Sequence, residues 1–203
     1  MNSKKPGNVF IVSAASGTGK TTLVSRLLAS NGNLRVSVSH TTRQPRISEN
    51  DGEHYYFVDV VDFEKLIVQG EFLEHAQVFG NYYGTSLQEV KRLQQQGFDV
   101  ILEIDVQGAQ QVRRILPDAV SIFILPPSLS VLSERLHRRN TDSEEVIQSR
   151  LKQARSEIEQ ALLFDYIVIN DSLAAAEAEL SAIIRAQRLT QAWRQDFIES
   201  LLS

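Results

Sequence analysis

Short apolar runs alternate with longer amphipathic stretches along this chain, and the alternation predicts its elements. Residues 8–13 form an apolar run between Pro6-Gly7 and a Gly-rich turn, as a buried strand does. Residues 20–29 read as a helix with Leu23, Leu27 and Leu28 on one face. Residues 34–39 alternate apolar and polar positions like a strand. Residues 100–104 read as another buried strand, followed by a Gln-rich helix over about 107–116. Residues 120–125 add a strand stopped by Pro126-Pro127, and 166–169 a further one before a helix over 172–188. Strands separated by helices predict right-handed βαβ crossovers and a parallel sheet.

Two regions break this rhythm. From about 40 to 86 the chain is rich in aromatics, glycine and polar groups, as in His54-Tyr55-Tyr56-Phe57 and Gly80-Asn81-Tyr82-Tyr83-Gly84. Such punctuation predicts short antiparallel strands in a small inserted subdomain. Residues 128–157 are helical in pattern and strongly charged, with Asp142 and Glu145 spaced as a capping box. Composition alone reads this second region as a solvated helical pair, with a mobile lid as the alternative.

A chain of 203 residues fits one sizeable domain, and 42% apolar with 23% charged residues is ordinary for a globular protein. No apolar run approaches the roughly 20 residues a membrane span needs. Residues 9–12 are too few for a signal-peptide core. With no cysteine and no targeting segment, the expectation is a cytoplasmic protein without a membrane partner. A net charge of −4 argues against a nucleic-acid partner. The oligomeric state is left open, a homo-oligomer included. His40, His54, His75 and His137 show no metal-ligand spacing.

The candidate chemistry begins where the first strand meets the first helix. Ser13-Ala14-Ala15-Ser16-Gly17-Thr18-Gly19-Lys20-Thr21 follows the P-loop pattern except that Ala14 stands at its first glycine. In this strand–loop–helix setting, backbone N–H groups of Ala14, Ala15, Ser16, Gly17, Thr18 and Gly19 can wrap nucleotide phosphates. Lys20 would meet the terminal phosphates, and Thr21 would offer its hydroxyl to Mg²⁺. The strand 100–104 ends in acids, Glu103 and Asp105, as a magnesium-orienting strand does; Asp105 equally suits a helix cap. Arg43 and Arg46 flank Pro45 and could clamp an anion, but alone they read as solvated surface arginines.

Longer motifs sharpen the picture. Ser39-His40-Thr41-Thr42-Arg43-Gln44-Pro45-Arg46, Gly52-Glu53-His54-Tyr55, Phe72-Leu73-Glu74-His75-Ala76 and Gly80-Asn81-Tyr82-Tyr83-Gly84-Thr85 occur in that order. Glu103-Ile104-Asp105-Val106-Gln107-Gly108, Phe123-Ile124-Leu125-Pro126-Pro127-Ser128, Asp142-Ser143-Glu144-Glu145-Val146-Ile147 and Val168-Ile169-Asn170-Asp171 follow. From about residue 8 to residue 188 the chain closely resembles bacterial guanylate kinases. The resemblance implies an α/β fold: a P-loop parallel β-sheet core flanked by helices, over 1–38, 87–127 and 158–203. It also implies an inserted mixed α/β GMP-binding subdomain at 39–86 and a helical lid at 128–157.

The same resemblance implies roles. Glu74 would accept from guanine N1–H and the 2-amino group, with the Ser39 and Thr85 hydroxyls completing base recognition. Adenine lacks that amino group and would leave the carboxylate unpaired. Arg43, Arg46, Tyr55 and Tyr83 match a clamp on the GMP phosphate, and Glu103 is expected near GMP or the metal's waters. Arg135, Arg139 and Arg150 match lid arginines that close over ATP, which reverses the solvated-helix reading. Asn170 and Asp171 match the segment near the donor adenine, and Thr21 with Asp105 would hold Mg²⁺.

Three departures stand out: Ala14, Glu103 where the family usually has Asp, and His137-Arg138-Arg139-Asn140 in place of a Gly-flanked arginine, which should stiffen the lid. The implied reaction is in-line transfer from MgATP to GMP, by positioning and charge stabilisation without a general base. An inactive scaffold of this fold, a kinase for another monophosphate, and a regulatory NTPase are the rivals. Lys20, Thr21, Arg135 and Arg150 weigh against the first, Glu74 with Ser39 and Thr85 against the second, and the acidic net charge with Arg43 and Arg46 against the third.

Overall fold

A computed structural model describes residues 5–47, 49–78, 80–138 and 143–203. Strand β1 (Val9–Ala14) runs through the Gly-rich loop into helix α1 (Lys20–Ser30), which leads to β2 (Leu34–Val36). The expected strand over 34–39 splits here. Ser37 still donates its N–H to Ile101 O, but Ser39 O accepts from Tyr56 N–H, so the chain leaves one sheet for another. The second sheet holds β3 (His40–Thr41), β4 (Tyr56–Phe57), β5 (Phe72–Val78) and β6 (Asn81–Ser86), with α2 (Val60–Val68) between β4 and β5. Its order is β4-β3-β6-β5. Antiparallel pairing holds for β3 with β6 and β5 with β6, but β3 and β4 run parallel, because the chain loops over and returns in the same direction. The aromatic and glycine punctuation gave no position for helix α2, although the resemblance implied a mixed α/β subdomain here; Asp59 caps it by accepting from Asp62 N–H, and Phe63 is its buried anchor.

Helix α3 (Leu87–Gln95) returns the chain to the first sheet, followed by β7 (Asp99–Glu103), α4 (Val106–Ile115) and β8 (Val120–Leu125). Helices α5 (Leu129–Arg138) and α6 (Glu144–Glu159) come next, then β9 (Tyr166–Ile169), α7 (Leu173–Gln187) and α8 (Gln191–Leu202). The first sheet has the order β2-β7-β1-β8-β9, and every pairing in it is parallel, as predicted. Side-chain alternation builds two core layers. Phe10 and Val12 face Leu23, Leu27, Leu180 and Ile184 of α1 and α7. Val9 and Ile11 face Val90, Leu93, Ala109 and Val112 of α3 and α4. The functional loops therefore sit beyond the carboxyl ends of β1 and β7, where parallel sheets leave a crevice.

Helices α5 and α6 form a third cluster of Leu132, Leu136, Ile147 and Ala154 around Ala15 of the Gly-rich loop. A freely solvated pair would have no such core. Ser143 caps α6 by accepting from Val146 N–H. The expected cap Asp142 lies outside the described residues. Helix α8, beyond the reach of the motifs, is capped by Thr190 and buries none of its residues.

Candidate active site

The cradle is built by backbone geometry. Gly17 and Gly19 adopt φ of 91° and 98°, a region that disfavours any side chain. Gly19 has a second reason to be glycine: a Cβ there would lie 2.7 Å from Asn170 Nδ2. The loop is braced from outside, because Thr18 O accepts from Asn170 Nδ2 at 2.7 Å and from Arg135 Nη1 at 3.1 Å. Arg135 Nη2 also donates to Asn170 O at 3.0 Å, so strand end, lid helix and loop share one knot. Lys20 Nζ donates to Ile104 O at 3.3 Å, which holds the ammonium over the end of β7.

Thr21 Oγ1 donates to Glu103 Oε1 at 2.7 Å. Asp105 instead caps α4, accepting from Gly108 N–H at 2.8 Å. The structure thus pairs the P-loop hydroxyl with Glu103 and not with Asp105, although both acids line the same cavity. The extra methylene of Glu103 provides the reach.

At the other end of this cavity Glu74 is only 3% exposed. Thr85 Oγ1 donates to Glu74 Oε1 at 2.6 Å, and Ser39 Oγ lies 3.4 Å from Thr85 Oγ1. Thr85 has one hydroxyl proton and Glu74 takes it, so Ser39 is the donor of that second contact. Burial pushes the Glu74 carboxyl up to about 7, with the neighbouring Asp105 charge adding to the rise against the Thr85 bond. The backbone beside it is fixed by Gln111 of α4, which donates to His75 O at 2.7 Å and accepts from His75 N–H at 3.2 Å. Gly108 lets α4 approach this closely: a Cβ there would clash with Glu74 Oε2 and lie 3.0 Å from Glu74 Cδ.

Tyr55 and Tyr83 meet edge to face, ring centroids 5.9 Å apart, and line the cavity with Arg46. Burial pushes the Tyr55 hydroxyl up to about 12, so it stays a proton donor. Arg43 stands behind Tyr83, paired with a carboxylate. Its Nη2 lies 2.9 Å from both oxygens of Glu49, and it is not among the residues lining the cavity. Burial works against this cation, yet its bonds to Glu49 and Tyr83 hold its pKa above the ordinary value. Glu49 also accepts from Arg46 N–H, so one carboxylate organises both arginines.

The cavity measures about 290 Å³ and joins Ser16 and Lys20 at one end to Ser39, Glu74 and Tyr83 at the other, with Arg150 of α6 on its wall. Of the predicted residues, Asp171 is exposed after β9 and Arg139 lies outside the described residues. Sequence reasoning missed Glu49, Gln111, Gly108 and Glu157. Glu157, on α6, accepts from Ser16 N–H at 3.3 Å, and burial holds its carboxyl above the usual range.

A parallel sheet with a P-loop at one strand end, and a cavity that runs from that loop to the buried Glu74 carboxylate, defines a nucleoside monophosphate kinase. The guanylate kinase family model matches residues 6–187. The guanylate kinase of Neisseria meningitidis serogroup A is 62% identical over 202 residues, covering 100% of this chain and 98% of that one. The guanylate kinase of Psychrobacter arcticus is 57% identical over 184 residues, 91% of this chain and 88% of its own. The crystal structure of guanylate kinase from Anaplasma phagocytophilum superposes with a TM-score of 0.76 at 35% identity, covering 92% of this chain and 89% of that one. This chain belongs to the guanylate kinase family.

Proposed function

We propose that the protein transfers the γ-phosphoryl group of MgATP to GMP, giving ADP and GDP. One observation carries the choice of acceptor: the row Ser39–Thr85–Glu74 ends in a buried carboxylate on the same cavity as Lys20. A carboxylate accepts from guanine N1–H and its amino group, and has no such partners on adenine. Arg46, Tyr55 and Tyr83 would hold the acceptor phosphate, with Arg43 behind them in the grip of Glu49. Lys20 and the loop amides from Ala14 to Thr21, Ser16 excepted because its N–H is given to Glu157, would hold the donor phosphates, and Asn170 with Asp171 would border the adenine.

The oxygen donors at the start of α1 fit Mg²⁺, which takes one or two carboxylates and otherwise waters and phosphate oxygens. Among the described residues no group of three or more His, Cys, Asp or Glu side chains is placed to hold a metal ion. Thr21 and Glu103 would hold the ion, directly or through water, with Asp105 left to cap α4 and border the base. Bound there, the ion would supply neutralisation of phosphate charge. The acceptor oxygen is already anionic, so the chain's own task is alignment and charge balance, shared by Lys20, Arg135 and Arg150 and, on the family resemblance alone, Arg139.

In this reading 39–86 and 128–157 move as acceptor subdomain and lid against the remaining core. Self-association belongs to it as an option carried by α8, where Phe197, Leu201 and Leu202 are 61%, 70% and 83% exposed; light scattering reads it. The working site is the cytoplasm, which cell fractionation checks. No helix among the described residues is long and apolar enough to cross a membrane. The function is tested by chromatography of the products from ATP, GMP and Mg²⁺: ADP and GDP should form one for one, and the Lys20→Met protein should form neither. Full turnover by that variant would refute the cradle.

A further inference from the structure

We infer that Glu157 is a positioning residue for the phosphoryl donor, holding the Ser16 amide of the cradle from the lid helix and tying the two together. The inference rests on the reading of residues 14–21 as the ATP cradle. Glu157 Oε2 accepts from Ser16 N–H at 3.3 Å, and Gln153 Nε2 donates to Glu157 Oε1 at 3.0 Å. Both oxygens are therefore engaged, and the half-buried carboxylate has one defined pose. Ser16 itself lines the cavity, at the same end as Lys20. The residue before it, Ala15, packs on Ala154, one turn from Glu157 on the same helix.

Helix geometry extends the link. Arg150 and Glu157 stand seven residues apart, close to two turns, so they share a face of α6. Arg150 lines the cavity at one end of that face while Glu157 grips the loop at the other. A movement of α6 that brings Arg150 toward the transferring phosphoryl group thus pivots on the cradle itself. The Glu157 bond fixes the peptide plane between Ala15 and Ser16, and with it the aim of the amides that follow. Lys20 and Asp105 are the charged groups that Glu157 feels across the gap. Its role is to accept a hydrogen bond at the right reach.

Reach and charge separate cleanly by substitution. Glu157→Gln keeps the length and an oxygen for Ser16 N–H, and Gln153 can turn its own amide to match. Glu157→Asp keeps the charge but loses the reach, and Glu157→Ala loses both while suiting a helix. Steady-state kinetics on the full chain should show the Ala and Asp variants needing about tenfold more ATP, the loss of one hydrogen bond. Their KM for GMP should stay within about twofold, and the Gln variant should stay near wild type in both. Equal shifts in both KM values, or an Ala variant indistinguishable from wild type, would overturn the inference. So would an Asp variant that works where the Gln variant fails, or a Gln variant that binds ATP more tightly than wild type. Were the Ala protein not to fold, the Asp and Gln variants alone would still decide. A wild type without ATP turnover sinks the cradle reading and this inference together, whereas a working wild type beside an unaltered Ala variant sinks only the inference.

Discussion

With Glu74 buried at 3% exposure, its carboxyl titrates at about 7, and this sets folding against function at one residue. The folded pKa is raised above the ordinary 4.5, so protonation favours the folded state. That stabilisation is complete below about pH 4.5 and is lost as pH rises through about 7. At pH 8 the charged form costs up to about 3 kcal/mol. Glu74→Gln should therefore melt higher than wild type at pH 8, with the gap closing by pH 5; a gap independent of pH would refute the assigned burial cost. The same variant should need roughly a hundredfold more GMP with little change in its ATP requirement. Wild-type kcat/KM for GMP should fall below about pH 7 as the carboxylate is neutralised. The GMP phosphate titrates near pH 6 as well. Only the part of the fall that is absent in Glu74→Gln belongs to the side chain.

Gly108 matters at the scale of elements, because α4 meets β5 there with no room for a Cβ against Glu74. Its conformation is ordinary, and Ala inside a helix is worth about 1 kcal/mol over Gly. Gly108→Ala should thus leave the fold intact while displacing the carboxylate, raising KM for GMP several-fold; an unchanged KM would show that β5 yields freely. Gly19→Ala acts on the Gly-rich loop instead. It combines φ of 98° with a 2.7 Å approach to Asn170, and should cut turnover by weakening the knot of Asn170, Arg135 and Thr18. These two glycines show what a sequence carries and what it hides. Gly19 belongs to a loop pattern that local rules explain, so it was legible. Gly108 is forced by a neighbour 34 positions away in the chain, which no local pattern encodes. Ser86 and Glu89 did write a capping box before α3, and Asp59 a cap before α2, yet the aromatic density around them pointed to strands.

Over the whole molecule, the parallel core was legible because buried strands and amphipathic helices each repeat with their own period. The second sheet was less so: a parallel β3–β4 pair of two residues each has too short a pattern to betray its direction. Charge alone misread α5 and α6, since their small core closes on Ala15, which belongs to a different element. Among the site residues, Ser39, Thr85 and Glu74 came together as expected. Thr21 and Arg43 have carboxylate partners, Glu103 and Glu49, that no local pattern named, because both pairings are set by the fold and not by spacing along the chain. Helix α8 buries nothing, so removing residues after Leu189 should lower the melting point by only a few degrees and leave kcat unchanged. A collapse of activity would show that the contacts of Lys5 and Arg188 with Trp193 reach the core. Acceptor choice is decided by kcat/KM for GMP, AMP, CMP, UMP and dTMP in one coupled ADP-release assay with MgATP. GMP should exceed AMP by at least about a thousandfold, as expected of a site with a buried hydrogen-bonding carboxylate. Comparable turnover of AMP, or preference for a pyrimidine, would contradict it.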